Sequence, residues 1–420
     1  MKNPRSLLNY FLSGQKITRH SFFLFLGHIF YNLVSLIILF FITRRYTPNE
    51  VGIYLFAFAF ANFFVMGVSF GSNQVLIREI ARKKSMTSRY VGNTIGLNIF
   101  LSLICFSLII LILQFFFPEV FWFTFFVSIA LVINQIAFTF TSVFLAYRKI
   151  QYNLVTGITS KVVLLGLFFL FLSMDKKLIY LPLLHITSAL CLFLISAGIF
   201  RRRISKIKVD FDFGFWRALI KNSVPFFLIN VLSMLYFRID TVMISLIRDF
   251  SEVGFYNTVF NVVKATLIIP MAFSAVIYPV FSNLYHNQSL LKSIYKRNLG
   301  QLLIISIVLT SILTLFSKQI VLLAFGEKFI VSSKALFVLS LSIPFIFINK
   351  LNATALFSVN LEKWPVYILI SGAFINVVLN ALVIPQYGFV GAAVTTVITE
   401  IVIFAMLGWV FYRRYWMARK

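Results

Sequence analysis

Glu50-Val51-Gly52-Ile53-Tyr54 falls on Glu252-Val253-Gly254-Phe255-Tyr256 when the chain is cut at residue 202 and its second half is laid over its first. Each copy stands in a short polar stretch between two long apolar runs, and the flanking runs, charges and spacing line up with it. Six apolar runs per half is an even number, so both halves enter the bilayer from the same side. The repeat is therefore parallel, with its pseudo-twofold along the membrane normal. A duplicated membrane bundle is the signature of a transporter whose working site lies between the halves and which moves by rocking one half against the other. Both copies fall on the outer face, as equivalent structural corners in which Gly52 and Gly254 ease the backbone at each helix start.

The composition sets the rest of the frame. Of 420 residues 60% are hydrophobic, mean hydropathy is +0.94, and Phe alone occurs 52 times. Apolar runs of about 18 residues or more read as membrane spans. The runs are 21–43, 52–72, 93–117, 121–145, 155–173, 178–200, 223–247, 254–281, 298–316, 335–359, 364–384 and 388–411. They are too long for barrel strands, and backbone in hydrocarbon must satisfy its own hydrogen bonds, so they are helices. The expected fold is an all-α polytopic membrane protein of about twelve transmembrane helices, in two parallel six-helix lobes around a central cavity. The lobes are 1–207 and 223–420, joined by an interfacial cytoplasmic linker at 208–222.

The formal net charge is +26. In a soluble protein that would point to nucleic acid. Here Lys and Arg favour one set of connectors over the other by about three to one, which is the positive-inside pattern. It puts both termini in the cytoplasm, and no nucleic-acid partner is expected. Cys105 and Cys191 both fall inside spans, with no disulfide framework or metal spacing. The first span starts too late and runs too long for a cleaved signal peptide, so it is expected to stay.

Connector 201–222 is the longest charged one. Arg201, Arg202, Arg203, Lys206 and Lys208 precede Phe211, Phe213, Phe215 and Trp216. Basic residues beside aromatics suit a segment lying on the cytoplasmic membrane surface; a plain solvated loop is the alternative. Pro182, Pro225, Pro270 and Pro344 lie inside spans, where they are expected to kink helices.

Ionisable groups in hydrocarbon are costly and default to function. The spans hold six: Lys161, Arg238, Asp240, Lys264, Lys350 and Glu400. Two more cations than anions make a lumen that prefers an anion. Arg238 and Asp240 are two residues apart, so they point to opposite sides of one helix and cannot easily neutralise each other. Arg238 is assigned to the cavity, because its planar fork grips phosphate oxygens in pairs. Lys264, Lys161 and Lys350 add substrate-binding charge. Glu400 and Asp240 are the ion-coupling candidates. The alternative is that these cations and carboxylates form structural ion pairs. His28 and His185 are the remaining titratable groups within spans, and helix packing is the commoner use of such a His.

Asp210-Phe211-Asp212 matches a short acidic pattern used by metal-dependent glycosyltransferases, but it sits in the basic linker with no nucleotide-binding domain around it. No phosphate-cradling Gly-rich loop and no nucleophile–base constellation is present. The reading is a non-enzyme with no cofactor and no metal site.

Four stretches now carry a resemblance. They are Thr47 to Tyr54; Phe70-Gly71-Ser72 running into Arg78-Glu79-Ile80-Ala81-Arg82; Arg238-Ile239-Asp240 with Val253 to Tyr256 and Tyr278-Pro279; and Asn376 to Asn380 with Ile384 to Ala393. Together they resemble the polysaccharide repeat-unit (O-antigen/capsule) flippases. That family lies in the superfamily that also holds multidrug extruders and the peptidoglycan-precursor flippase. The resemblance implies an undecaprenyl-diphosphate-linked oligosaccharide as cargo, turned from the inner to the outer leaflet of the cytoplasmic (inner) membrane for surface polysaccharide. It also implies coupling to a proton or sodium ion and work beside other polysaccharide-assembly membrane proteins and membrane lipids. Rival readings on the same fold are a lipid II or teichoic-precursor flippase and a drug/ion antiporter. Drug extruders often use an acidic residue in the first span, and this one has none. A membrane polysaccharide polymerase would need a large outer loop, and the outer connectors are short.

Overall fold

Thr47-Pro48-Asn49-Glu50 starts a helix by local rules alone. The Glu50 carboxylate accepts from the Thr47 N–H (2.9 Å) and hydroxyl (2.8 Å), while the Glu50 N–H donates to Thr47 Oγ1 (3.3 Å). This is a capping box, with proline at the first helical position where its missing N–H costs nothing. The computed structural model describes residues 15–174 and 177–413, with side chains from Leu26 onward except that of His28. Among the described residues there is no strand.

The helices are α1 (Gln15–Arg45), α2 (Pro48–Ser69), α3 (Ser72–Arg82), α4 (Thr87–Phe116), α5 (Phe121–Ala146), α6 (Ile150–Ser173), α7 (Leu181–Arg203), α8 (Phe213–Ile247), α9 (Phe250–Thr266), α10 (Ile268–Asn283), α11 (Gln288–Leu315), α12 (Ser317–Phe325), α13 (Ser332–Ser340), α14 (Ile343–Ser358) and α15 (Lys363–Val410). All twelve expected spans have a counterpart, but two are built from broken pieces and two share one helix. Span 254–281 is α9 and α10 together. Span 335–359 is α13 and α14, bent by 42°. The last two spans are one helix, α15, interrupted at Gly388 (φ 56°, ψ −142°). The prolines explain part of this. Pro182 and Pro344 open α7 and α14, and Pro270 is in the first turn of α10, where the first four N–H groups have no partner within the helix anyway. Of the four expected to kink a helix, only Pro225 lies deep inside one.

The chain forms two compact units. The first comprises residues through Ile38 and Phe64–Phe227. In it α5 packs on α7, α6 on α7, and α3 and α4 on α5. Its core joins Leu76, Ile80, Ile95, Phe140, Phe144 and Phe200, all 5% exposed or less. The outward face of α4 is equally apolar: Phe100, Ile104, Leu108, Leu111 and Phe115 recur every three or four residues and are all exposed. Such a stripe is stable only against lipid.

Residues 206–212 strap onto the start of α4. Ser88 Oγ donates to the Lys206 carbonyl (3.2 Å), Asn93 Nδ2 to Asp210 Oδ2 (3.1 Å), and the Asp212 N–H to Asn93 Oδ1 (3.1 Å). A Cβ on Gly92 would lie 2.0 Å from the Lys208 carbonyl oxygen, and one on Gly96 would lie 2.2 Å from that of Asp210, so both glycines are needed for the strap to lie flat. Asp212 also caps α8 by accepting from the Phe215 N–H (3.0 Å), and it pairs with Arg89 (3.1 Å). The Phe215 N–H first, and then Arg89, hold its carboxyl below the ordinary carboxylate range. Its support of the fold is therefore present above that range and lost as pH falls through the lowered value. The Asp-Phe-Asp pattern is thus a clasp, and residues 213–222 are the first turns of α8.

The second unit comprises Leu39–Phe63 and the chain from Leu228. In it α14 packs on α10, α11 and α15, and α13 packs on α9, α11 and α15. Two helix ends meet here. Arg44 donates to the Leu323 carbonyl near the end of α12, and Lys328 Nζ to the Arg45 carbonyl at the end of α1 (3.5 Å). Each cation satisfies the other helix's free carbonyls.

Both copies of the opening motif lie in this unit, and they touch. A Cβ on Gly52 would sit 1.6 Å from the Phe250 carbonyl oxygen, and one on Gly254 would sit 2.3 Å from that of Pro48. Neither glycine has a positive φ. Their role is therefore close helix approach inside the first turns of α2 and α9, and not the easing of a turn expected from sequence.

Candidate functional site

A cavity of about 410 Å³ lies within the second unit, walled by α8, α9, α10, α14 and α15. Most of its lining is apolar, including Phe237, Phe260, Met271, Ile346 and Leu407. Into this wall project Asp240, Lys264, Lys350 and Glu400, four of the six expected intramembrane charges.

Helical spacing builds the polar floor. Tyr236 and Asp240 are one turn apart on α8, and Thr396 and Glu400 are one turn apart on α15. Tyr236 donates to Glu400, and Thr396 donates to Asp240 Oδ2 (3.2 Å), so the two pairs meet crosswise. The carboxylates thus stand in two tiers, about 6 Å apart at the 1.5 Å rise per residue of a helix. Asp240 is 3% exposed. It also accepts from Tyr256 Oη (2.5 Å) and from Asn380 Nδ2 (2.7 Å). Asn380 is held in turn by Asn376 Oδ1 (3.0 Å) and Thr395. Glu400 is 5% exposed and accepts from Asn349 Nδ2 (2.8 Å) as well.

Every donor to these carboxylates is neutral. Among the described residues no ion pair within 4 Å joins Asp240 or Glu400 to a cation, although Lys264 is close enough to Asp240 to interact with it electrostatically. Lys264 is held instead over the rings of Phe260 (4.3 Å) and Phe237 (5.8 Å), with Nζ donating to the Phe237 carbonyl (3.3 Å). Lys350 is exposed.

The other expected residues lie elsewhere. Arg238 is half-buried on α8 and is not among the residues lining this cavity; Asp240, two residues on, is. Lys161 is half-buried on α6 in the first unit, close enough to His185 on α7 to interact electrostatically. The His28 side chain lies outside the described residues.

Sequence reasoning about charge passed over the neutral donors Tyr236, Tyr256, Asn349 and Thr396. Their signal was available in part. Tyr256 ends the second copy of the opening motif, and Asn376 and Asn380 recur one turn apart in an apolar run. The copies have diverged in use. Glu50 caps its own helix, whereas Glu252 pairs with Arg248 (3.0 Å) and accepts from the Phe389 N–H (2.8 Å) at the break in α15.

Known proteins share this architecture. The chain matches the family model described as polysaccharide biosynthesis protein over residues 17–285 and the MatE model over residues 225–382. It is 22% identical to the probable low-salt glycan biosynthesis flippase Agl15 of Haloferax volcanii, over 91% of this chain and 81% of that one. Among solved structures, lipid II flippase MurJ in an inward closed conformation superposes with a TM-score of 0.71 at 18% identity, covering 93% of this chain and 87% of the other. An inward-facing multidrug resistance MATE family transporter of the MOP superfamily superposes at 0.73 with 14% identity, covering 91% and 94%. These two likenesses speak for the fold. The first family model spans well over half of the sequence, and the chain belongs to the polysaccharide biosynthesis protein family of multi-pass membrane proteins.

Proposed function

We propose that the protein is a flippase that carries undecaprenyl-diphosphate-linked oligosaccharide repeat units from the inner to the outer leaflet of the cytoplasmic membrane. It works by alternating access driven by a proton or sodium gradient, with both termini in the cytoplasm. The carrying observation is the cavity of the second unit, where two lysines, two carboxylates and a few neutral polar groups interrupt a mostly apolar wall. Family membership and the relative named as a glycan biosynthesis flippase support the cargo class. The positive-inside charge pattern supports the orientation.

In this reading Lys264 and Lys350 bind the diphosphate in this cavity as point charges, and Arg238, which lies outside that lining, grips the phosphates at another point of the substrate's path through paired hydrogen bonds. Lys161, in the first unit, adds substrate-binding charge of its own there. Asp240, bonded to Asn380 and Thr396, with Asn376 and Thr395 holding Asn380 behind it, takes the coupling ion. Glu400, one turn away, is the second stop. A lipid-phase cavity lets such charges act strongly, because little water screens them.

The test is complementation in a host whose own exporter is deleted. Arg238→Ala is expected to lower surface polysaccharide by about tenfold or more, the effect of losing one charge-assisted contact, at unchanged protein level. Arg238→Lys is expected to recover part of it. Undiminished export by Arg238→Ala would remove Arg238 from the substrate path.

A further inference from the structure

A second, open cavity of about 640 Å³ lies in the same unit. Ser274 and Tyr278 of α10, Lys350, Thr354 and Phe357 of α14, and Asn360 and Glu362 of the following turn line it. Lys350 and Phe357 line both this cavity and the buried one. We propose that the open cavity is a carbohydrate subsite that takes the sugar next to the diphosphate. The proposal rests on the flippase reading above and adds where the glycan is held.

The chemistry of the lining favours sugar over phosphate. The open cavity's lining holds one ammonium, Lys350, beside one carboxylate, Glu362, where the buried cavity holds two ammonium groups, Lys264 and Lys350. The remaining polar groups are hydroxyls and an amide, which both donate and accept, as sugar hydroxyls do. Thr354 and Ser274 hydroxyls already meet at 2.9 Å. Two aromatic rings are exposed at the rim, Tyr278 at 47% and Phe357 at 42%, and offer flat apolar faces to the C–H face of a pyranose. Asn360 is fixed in the left-handed region (φ 59°) by a turn that the Leu361 N–H closes onto the Leu356 carbonyl (3.0 Å). Its amide is thus presented from a rigid corner, and Asn tolerates that conformation. The size is that of a small-molecule site.

Place in the chain agrees. The cavity takes Asn360 and Glu362 from connector 360–363, which the charge pattern assigns to the cytoplasmic side, where a glycan would be loaded. Lys350, at the junction of the two cavities, can reach a phosphate attached to the first sugar. The ligand would then lie with its sugar in the open cavity and its phosphates toward Lys264.

The experiment is native mass spectrometry of the purified full chain. It is offered synthetic undecaprenyl diphosphate, and separately the lipid-linked glycan pool extracted from cells lacking this protein. Wild type is expected to prefer the glycan-bearing lipid by about tenfold or more, a factor that one or two hydrogen bonds supply. Tyr278→Ala and Glu362→Gln are expected to erase that preference and leave affinity for the bare carrier unchanged. Variants that keep the preference, or that weaken bare carrier equally, would overturn the subsite. Failure of wild type to bind either lipid would overturn the flippase reading instead. Thermal stability of each variant, measured alongside, identifies any loss caused by misfolding.

Discussion

Asp240→Asn is expected to slow ion-driven transport on the order of a hundredfold, while the protein still reaches the membrane. The reason lies in the contacts. Tyr256, Asn380 and Thr396 all point donors at the carboxylate, which only accepts. An asparagine would turn an NH₂ toward one of those donors and remove the negative charge that attracts a coupling cation. An unsatisfied buried group costs about 1–3 kcal/mol, and 1.4 kcal/mol is tenfold. Asp240→Asn combined with Asn380→Asp returns the charge to a neighbouring atom of the same network. That pair is expected to recover a measurable part of the rate. Rates are read in proteoliposomes with and without an imposed proton or sodium gradient. A single variant with unchanged gradient dependence would remove Asp240 from ion coupling.

Gly388→Val is expected to cost the fold heavily, by about 2–4 kcal/mol, summing the strain of a glycine-only backbone region and a lost helix cap. Gly388 breaks α15 at φ 56° and ψ −142°. A Cβ there would lie 2.3 Å from Glu252 Oε2, the atom that accepts the Phe389 N–H. The side chain would thus be strained in its own backbone and would displace the cap of the next half-helix. Gly408→Ala is the control, since no atom lies within 4 Å of a Cβ placed there. Thermal unfolding in detergent is expected to show a large drop for Gly388→Val and none for Gly408→Ala. Glu252→Ala should make Gly388→Val less harmful in a double-mutant cycle, because the overlapping carboxylate is gone.

How much of this was legible in the sequence depends on which physical signal carried each part. Twelve apolar runs announce twelve spans, because lipid tolerates nothing else. The capping box at Thr47 and Glu50 is equally plain. Breaks inside spans were not plain: α9 and α10 part at Leu267, and α13 and α14 at Leu341 and Ser342, inside runs whose overall apolarity is unbroken. Prolines drew attention as kinks, but Pro182, Pro270 and Pro344 stand where helices begin, so they mark the ends of breaks. Charges in spans were easy to find, and four of six line one cavity. Which way each pointed was not readable. Arg238 and Asp240 stand two residues apart, and only packing could show that Asp240 lines the second unit's cavity and Arg238, the one assigned to a cavity from sequence, does not. The partners of Asp240 and Glu400 are neutral, and neutral donors among Phe and Leu leave little trace in composition. The duplicated motif shows why a repeat must be read twice: Gly52 and Gly254 share one use, close approach, whereas Glu50 and Glu252 do not.

The central claim is that this chain moves a lipid-linked glycan between leaflets. Purified protein in liposomes carrying undecaprenyl-diphosphate glycan with a labelled sugar tests it directly. A membrane-impermeant enzyme outside removes the label from the outer leaflet only. With active protein and an ion gradient, labelled sugar from the inner leaflet should become accessible, and Asp240→Asn should abolish most of that flux. Labelled sugar that stays protected at wild-type levels of folded protein, while a cationic drug is moved instead, would contradict it.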